Sequence, residues 1–245
     1  MRQDLPKDIG MASEIAVRDE PFLKNFSDPQ AVARYAEGTQ RFVPGLELLR
    51  QMTGLLLAER APTDARVLVL GAGGGGELRA MAEAYPQWTF VGVDPAAEML
   101  RLAERAIGAN MDRVELIEGY IDDAPAGPFD AAACLLTLHF LPAPERERTA
   151  RRIHDRLRPG APFVAAHVSF PQSADERDVW LDRYAAYPIA SGADPDQVRN
   201  ARAAVAASLN IFSPERDEAI LRAAGFSGVN LFYAALVWRG WIARA

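Results

Sequence analysis

The chain has 245 residues, 49% of them hydrophobic and 24% charged, with a net charge of −6. That size suits one α/β domain with decorations, and no apolar run approaches the ~18 residues needed to span a bilayer. Its positive charges alternate with acids, as in ERERTARRIHDRLR (145–158), which excludes the pooled Lys and Arg of broad nucleic-acid binders. The single cysteine, Cys134, cannot form an intramolecular disulfide, and within DAAACLLTLHFL it reads as a core residue. MRQDLPKDIGMASE has no apolar stretch after its charges, so a cytoplasmic protein is expected. No metal cluster is evident.

In chain order, residues 1–30 are polar and proline-dotted, and read as an arm ending at a helix start near Ser27 or Asp28. Helices at Pro29–Glu37 and Leu46–Arg60 flank the break Phe42-Val43-Pro44-Gly45, so residues 1–60 form an arm and helical lid ahead of a domain at 61–245. The rhythm then alternates: strand 66–70, helix 75–84, strand 88–93, helix 96–107, strands 113–117 and 129–136, helix 144–157, strand 161–168. Apolar strands alternating with helices imply a parallel sheet covered on both faces. From Phe170 to Ser213 a helical, aromatic-dotted insertion (Trp180, Tyr184, Tyr187) breaks the pattern. A helix at Pro214–Ala224 restores it, and Val229–Val237 with Trp241–Ala245 reads as a hairpin turning at Arg239-Gly240.

The chemistry concentrates at RVLVLGAGGGGEL…TFVGVDPAAEML. An apolar run enters the cluster Gly71, Gly73, Gly74, Gly75, Gly76, and a second apolar run ends on Asp94. Glycines permit a sharp turn with backbone N–H groups close to a ligand, and an acid at the next strand tip can hold both hydroxyls of a ribose. The ligand therefore contains an adenosine. Gly71, Gly73 and Gly76 also fit the GxGxxG spacing of dinucleotide enzymes. The helix opening directly after Asp94, with Met99 and Leu100 inward, favours another reading. Over 66–170 the chain resembles the class I S-adenosylmethionine-dependent methyltransferases, with their LGxGxG and GxDxxxxML signatures. The resemblance implies a Rossmann-like seven-stranded sheet with helices on both faces and an antiparallel last strand, and S-adenosylmethionine as cofactor. Gly71, Ala72, Gly73 and Gly75 would lie along the methionine part, Asp94 on the ribose, Pro95 or Met99 near the adenine face, and Tyr120 with Ile121 along its edge. Leu135 and Arg41 would border the pocket.

Outside that region RFVPGL (41–46), VELIEGYIDD (114–123), LTLHFLPAPER (136–146) and AGF (224–226) resemble the bacterial carboxy-S-adenosylmethionine synthases, which act in tRNA uridine modification. That family's arginine for the extra carboxylate corresponds to Arg202, and its dimeric assembly implies a homodimer. Tyr120, Leu135 and Leu46 stand where the family carries aspartate, asparagine and tyrosine, which favours ordinary methyl transfer to an oxygen, nitrogen or carbon of a small molecule. Carboxy-cofactor synthesis, a tRNA-pathway enzyme and a non-catalytic cofactor-binding partner remain the alternatives. His139 and His167, at strand ends, are candidate general bases. Arg202 is the candidate anion clamp, Arg199 lies beside it, and His154 sits on a charged helix. Tyr35, Arg41, Trp180, Tyr184 and Tyr187 are candidate pocket walls.

Overall fold

The computed structural model describes residues 38–245 together with Phe26 and Val32. The expected arm and the helix at Pro29–Glu37, Tyr35 included, otherwise lie outside the described residues. The elements are α1 (Leu46–Ala58), β1 (Arg66–Leu70), α2 (Gly76–Ala84), β2 (Thr89–Asp94), α3 (Ala97–Ile107), β3 (Val114–Glu118), β4 (Ala131–Leu135), α4 (Ala143–His154), β5 (Pro162–Val168), α5 (Ala174–Ala190), α6 (Pro195–Ser208), α7 (Pro214–Ala223), β6 (Ser227–Ala235) and β7 (Trp238–Arg244). The strands form one sheet in the order β3-β2-β1-β4-β5-β7-β6. The first five are parallel, and β7 runs antiparallel to both β5 and β6.

Period-two alternation divides the core. Val67 and Val69 of β1, Ala131, Ala133 and Leu135 of β4, and Val164, Ala166 and Val168 of β5 face one cluster with α1 and α2. Leu68 and Leu70, Ala132 and Cys134, and Phe163 and Ala165 face the other with α4 and α7. Burial pushes the Cys134 thiol far above its ordinary range, in keeping with a core role. The second helix of the expected lid, α1, is built into the core through Leu46, Leu49 and Leu57. Helix starts follow local chemistry: Asp194 accepts the Asp196 and Gln197 N–H groups at 2.8 and 3.0 Å before Pro195, and Ser213 precedes Pro214. Among the described residues no helix is long and apolar enough to cross a membrane.

Most expected boundaries shift by a few residues at the ends. The hairpin is a correction. It turns at Leu236-Val237, with Leu236 at φ 54°, and Arg239-Gly240 lies inside β7. Glycine serves packing there, since a Cβ at Gly240 would stand 3.0 to 3.1 Å from Phe232 and Tyr233. Tyr233 donates to the Pro44 carbonyl, and the Trp238 indole donates to the Phe42 carbonyl at 2.9 Å, anchoring the hairpin on the segment before α1.

On the α4–α7 face lies a buried ionic knot. Arg146 and Asp217, each with a side chain 1% exposed, pair at 2.5 Å. The Arg146 guanidinium also donates to the carbonyls of Leu141 and Asn210 and lies 4.3 Å over the Phe212 ring. Burial opposes ionisation of Asp217, but His167, Arg146 and Ser169 outweigh it and hold the carboxyl below its ordinary range. Removing Arg146 strands a buried carboxylate, a situation that costs about 3–5 kcal/mol. Arg146→Met is expected to lose that much in urea denaturation, and adding Asp217→Leu should restore more than half. A single variant within about 1 kcal/mol of the parent would refute the role of the knot.

Candidate active site

The site sits at the carboxyl ends of β1, β2 and β4, where the sheet order reverses direction between β1 and β4. Leaving β1, the chain turns through Gly71 at φ 73° and Gly73 at φ 49°, and Gly75 caps α2 at φ 77°. A side chain at Gly71 would collide with Thr137, which lies after β4. The amides of Gly71 and Ala72 donate to the Val93 carbonyl at 2.8 and 3.1 Å.

Asp94 closes the loop on the neighbouring strand. One carboxylate oxygen accepts the Gly73 N–H at 2.9 Å and the other accepts the Ala96 N–H at 2.9 Å. Its residue is 9% exposed. Burial raises the carboxyl above its usual range, and the two backbone donors pull in the opposite direction. Each oxygen keeps a further lone pair for a hydroxyl donor. Ala96 and Met99, with Val32 packed on them, line the side towards α3. Pro95 is half-buried, Ile121 is buried, and Tyr120 is half-buried on the loop after β3. Leu135 is buried in the core face of β4, and Arg41 is exposed beside the break before α1.

The two histidines are placed differently from their expected role. His139 is buried on the short turn Leu138–Phe140, and its Nδ1 accepts the Val168 N–H at 3.2 Å. Burial, then His167 and Arg146, hold its pKa well below the ordinary value, so the ring is neutral. With Nδ1 accepting, the proton resides on Nε2, which makes that nitrogen a donor and removes it as a base in this arrangement. His167 follows the odd-numbered residues of β5 onto the α4–α7 face. It lies 3.2 Å from Asp217 without hydrogen-bond alignment, and 5.1 Å from the Trp241 ring. It belongs to the ionic knot. His154 packs edge-on against Phe226.

Arg202 projects from α6 onto α5, 2.8 Å from Asp182 and 3.4 Å from Asp178. Arg199 pairs with Asp196 on the exposed side of the same helix. Of the aromatic walls, Trp180 stacks near Phe170 at 6.2 Å and receives Arg183 and Arg239 on its ring, while Tyr184 packs on Phe42 at 5.4 Å. These contacts close the insertion onto the body of the domain, and Tyr187 lies half-buried on α5.

Sequence reading passed over Glu77 and Arg50. Glu77 occupies the first turn of α2, 8% exposed, and burial raises its carboxyl to about 7 against the lowering influence of Arg50. The available signal was an acid directly after the glycine run, where α2 begins to turn inward. A carboxyl whose folded-state pKa exceeds its unfolded value holds its proton longer in the folded protein. Its stability contribution is therefore complete below about 4.5 and is lost as pH rises through about 7. The loss amounts to about 3 kcal/mol. Glu77→Gln should flatten this fall in urea titrations between about pH 5 and about pH 8, and an unchanged slope would show that Glu77 titrates normally.

A methyltransferase-domain family matches residues 67–160, the segment from β1 to the turn before β5. The carboxy-S-adenosyl-L-methionine synthase of Chromohalobacter salexigens is 27% identical over 95% of this chain and 90% of its own length. That of Aeromonas hydrophila is 25% identical over 84% of each. Among solved structures, an O-methyltransferase family protein of Burkholderia thailandensis superposes with TM-score 0.62 at 17% identity over 90% of this chain. Human N-acetylserotonin methyltransferase, solved with S-adenosylmethionine, does so with TM-score 0.55 at 16% identity over 96% of this chain. The chain spans 61% and 65% of those two proteins. With a family match that starts in β1 and ends before β5, a glycine loop tied to an acid at the β2 tip and an antiparallel β7, this chain has the fold of the class I S-adenosylmethionine-dependent methyltransferases.

Proposed function

We propose that this protein transfers the methyl group of S-adenosylmethionine to an oxygen, nitrogen or carbon nucleophile of a small molecule. The observation that carries the reading is Asp94, a buried carboxylate held at the β2 tip by the glycine loop itself, at 2.9 Å from Gly73 N. That donor set fits the cofactor: glycine backbone beside one end, a ribose acceptor in the middle, and Met99 and Ile121 as apolar walls. Bound S-adenosylmethionine supplies a methyl group already activated by the positive charge on sulfur. The protein's own part is to hold the nucleophile in line and keep water out, which proximity and burial achieve without a base.

The arrangement of Arg202 favours plain methyl transfer over carboxy-cofactor synthesis. Its guanidinium faces Asp182 and Asp178, so an extra carboxylate would have to displace two acids already in place. The fixed tautomer of His139 likewise favours a proximity mechanism.

Calorimetry with S-adenosylmethionine and with NADH tests the cofactor. Asp94→Ala should weaken S-adenosylmethionine binding by about 2 kcal/mol, through loss of charge-assisted hydrogen bonds. Binding of NADH in place of S-adenosylmethionine would overturn the assignment. Turnover tests the mechanism: His139→Ala should retain activity to within about tenfold, whereas a loss of about 100-fold or more with unchanged cofactor affinity would make it a base after all.

A further inference from the structure

The cations of the α5–α6 insertion divide into two groups. Arg202 holds Asp178 and Asp182, Arg199 holds Asp196, and Arg177 donates to the Ala206 carbonyl at 2.9 Å. Arg183 has no such partner among the described residues, and its guanidinium lies 4.3 Å over the Trp180 ring. A second guanidinium, that of Arg239 from β7, lies 5.4 Å from the same ring centre. Two like charges therefore share one indole. The acids nearest in sequence are engaged elsewhere: Glu176 accepts from the Ser173 hydroxyl at 2.8 Å, and Asp178 and Asp182 face Arg202.

Arg239 is the better defined of the two. It is half-buried, and its Nη1 donates to the carbonyls of Leu236 and Trp238 at 2.5 and 2.9 Å. Nε and Nη2 find no acceptor among the described residues. Those two N–H groups form the edge of a guanidinium that meets both oxygens of a carboxylate. Burial lowers the Arg239 pKa, and no acid offsets it. A partly desolvated cation without a counter-charge is costly to keep, and the face of Trp180 returns only part of that cost. Arg239 pairs with His167 near the carboxyl end of β5, on the sheet edge that also carries the tips of β2 and β4. The adjacent Trp238 ring lies 6.0 Å from His139, on the turn after β4. The unpaired fork thus stands on the rim of the candidate active site, outside the cofactor cradle of β1 and β2. Phe170 beside Trp180, and Phe42 against Tyr184 one turn further along α5, surround it with aromatic surface.

We propose that Arg239 and Arg183, held in place by Trp180, form the subsite for a carboxylate on the methyl acceptor, which makes the acceptor a planar organic acid. The inference rests on reading the protein as a small-molecule methyltransferase. A carboxylate supplies the missing counter-charge to both guanidiniums, whereas a neutral analogue of the same shape leaves them unpaired. Stacking on Trp180 orients the guanidiniums before the ligand arrives, so little side-chain freedom is lost on binding.

Calorimetry on the full chain tests it, first with S-adenosylhomocysteine and then, on the loaded protein, with three probes. These are 4-hydroxybenzoate, 4-hydroxybenzyl alcohol, which keeps the ring and loses the charge, and inorganic phosphate, which is charged and has no ring. The parent should bind 4-hydroxybenzoate at least about tenfold more tightly than either other probe. Arg239→Gln should weaken 4-hydroxybenzoate by about tenfold or more and Arg183→Gln by about threefold or more, with the alcohol and S-adenosylhomocysteine within about twofold of the parent. Arg183 is exposed, so its variant carries the test if Arg239→Gln fails to fold. Equal affinity for the acid and the alcohol, or equal losses for both in the variants, would overturn the subsite while leaving the cofactor reading intact. Phosphate binding as tightly as 4-hydroxybenzoate would reduce the pair to a bare anion site and overturn it too. If the parent did not bind S-adenosylhomocysteine, the methyltransferase reading would fall and the acceptor role with it, whatever the acid did.

Discussion

A single carboxylate joins the two halves of the site. Asp94 ends β2, and its oxygens hold the amides of Gly73 in the loop after β1 and of Ala96 at the start of α3. The loop can accept that bond because Gly71 and Gly73 take positive φ, and it can sit close to the tip of β4 because Gly71 leaves room for Thr137. One acid therefore ties the β1 loop to the tip of β2, and Gly71 sets how closely the end of β4 approaches. Burial raises its pKa while the backbone donors favour its charge, so the group is poised between its two environments.

Support for this edge comes from the far face of the sheet. The knot of Arg146, Asp217 and His167 ties α4, α7 and β5 together, and Asn210, whose carbonyl Arg146 holds, donates its backbone N–H to the His139 carbonyl at 2.8 Å. The turn after β4 is thus braced from beneath by a buried ion pair. Such pairs add little net stability compared with apolar packing, but they permit few alternative arrangements. The two histidines find their places in this bracing, which explains why groups of catalytic type at strand ends contribute structure here.

The insertion between β5 and α7 is joined to the rest by aromatic and ionic contacts of its own. Phe170 with Trp180, and Phe42 with Tyr184, bring α5 against the segment that precedes α1, and the β6–β7 hairpin is hydrogen-bonded to that same segment. Regions far apart in the chain, near 42, 184 and 238, therefore meet on one side of the site. Trp180 and Tyr184, two of the aromatics identified as pocket walls, act as the joint between them.

The alternation of strands and helices, the glycine turn and the acid at the next strand tip were legible in the residues, because each is a local pattern: period-two apolar runs, glycines at a turn and a helix opening at once after Asp94. The seven strands and an antiparallel last strand followed from resemblance in those same motifs, whereas the strand order came with the tertiary structure. What only the tertiary structure decided concerns partners distant in sequence. The hairpin turn moved from Arg239-Gly240 to Leu236-Val237 because Gly240 answers to Phe232 and Tyr233 across the strand pair. His139 lost its basic nitrogen to the amide of Val168, 29 positions away, and Arg202 met acids on a separate helix. Nothing local marked Glu77, which is buried in the folded chain, where α1 lays Arg50 over the neighbouring Gly76. Local sequence sets which conformations and faces are available, whereas the protonation and availability of a side chain depend on neighbours that only folding brings together.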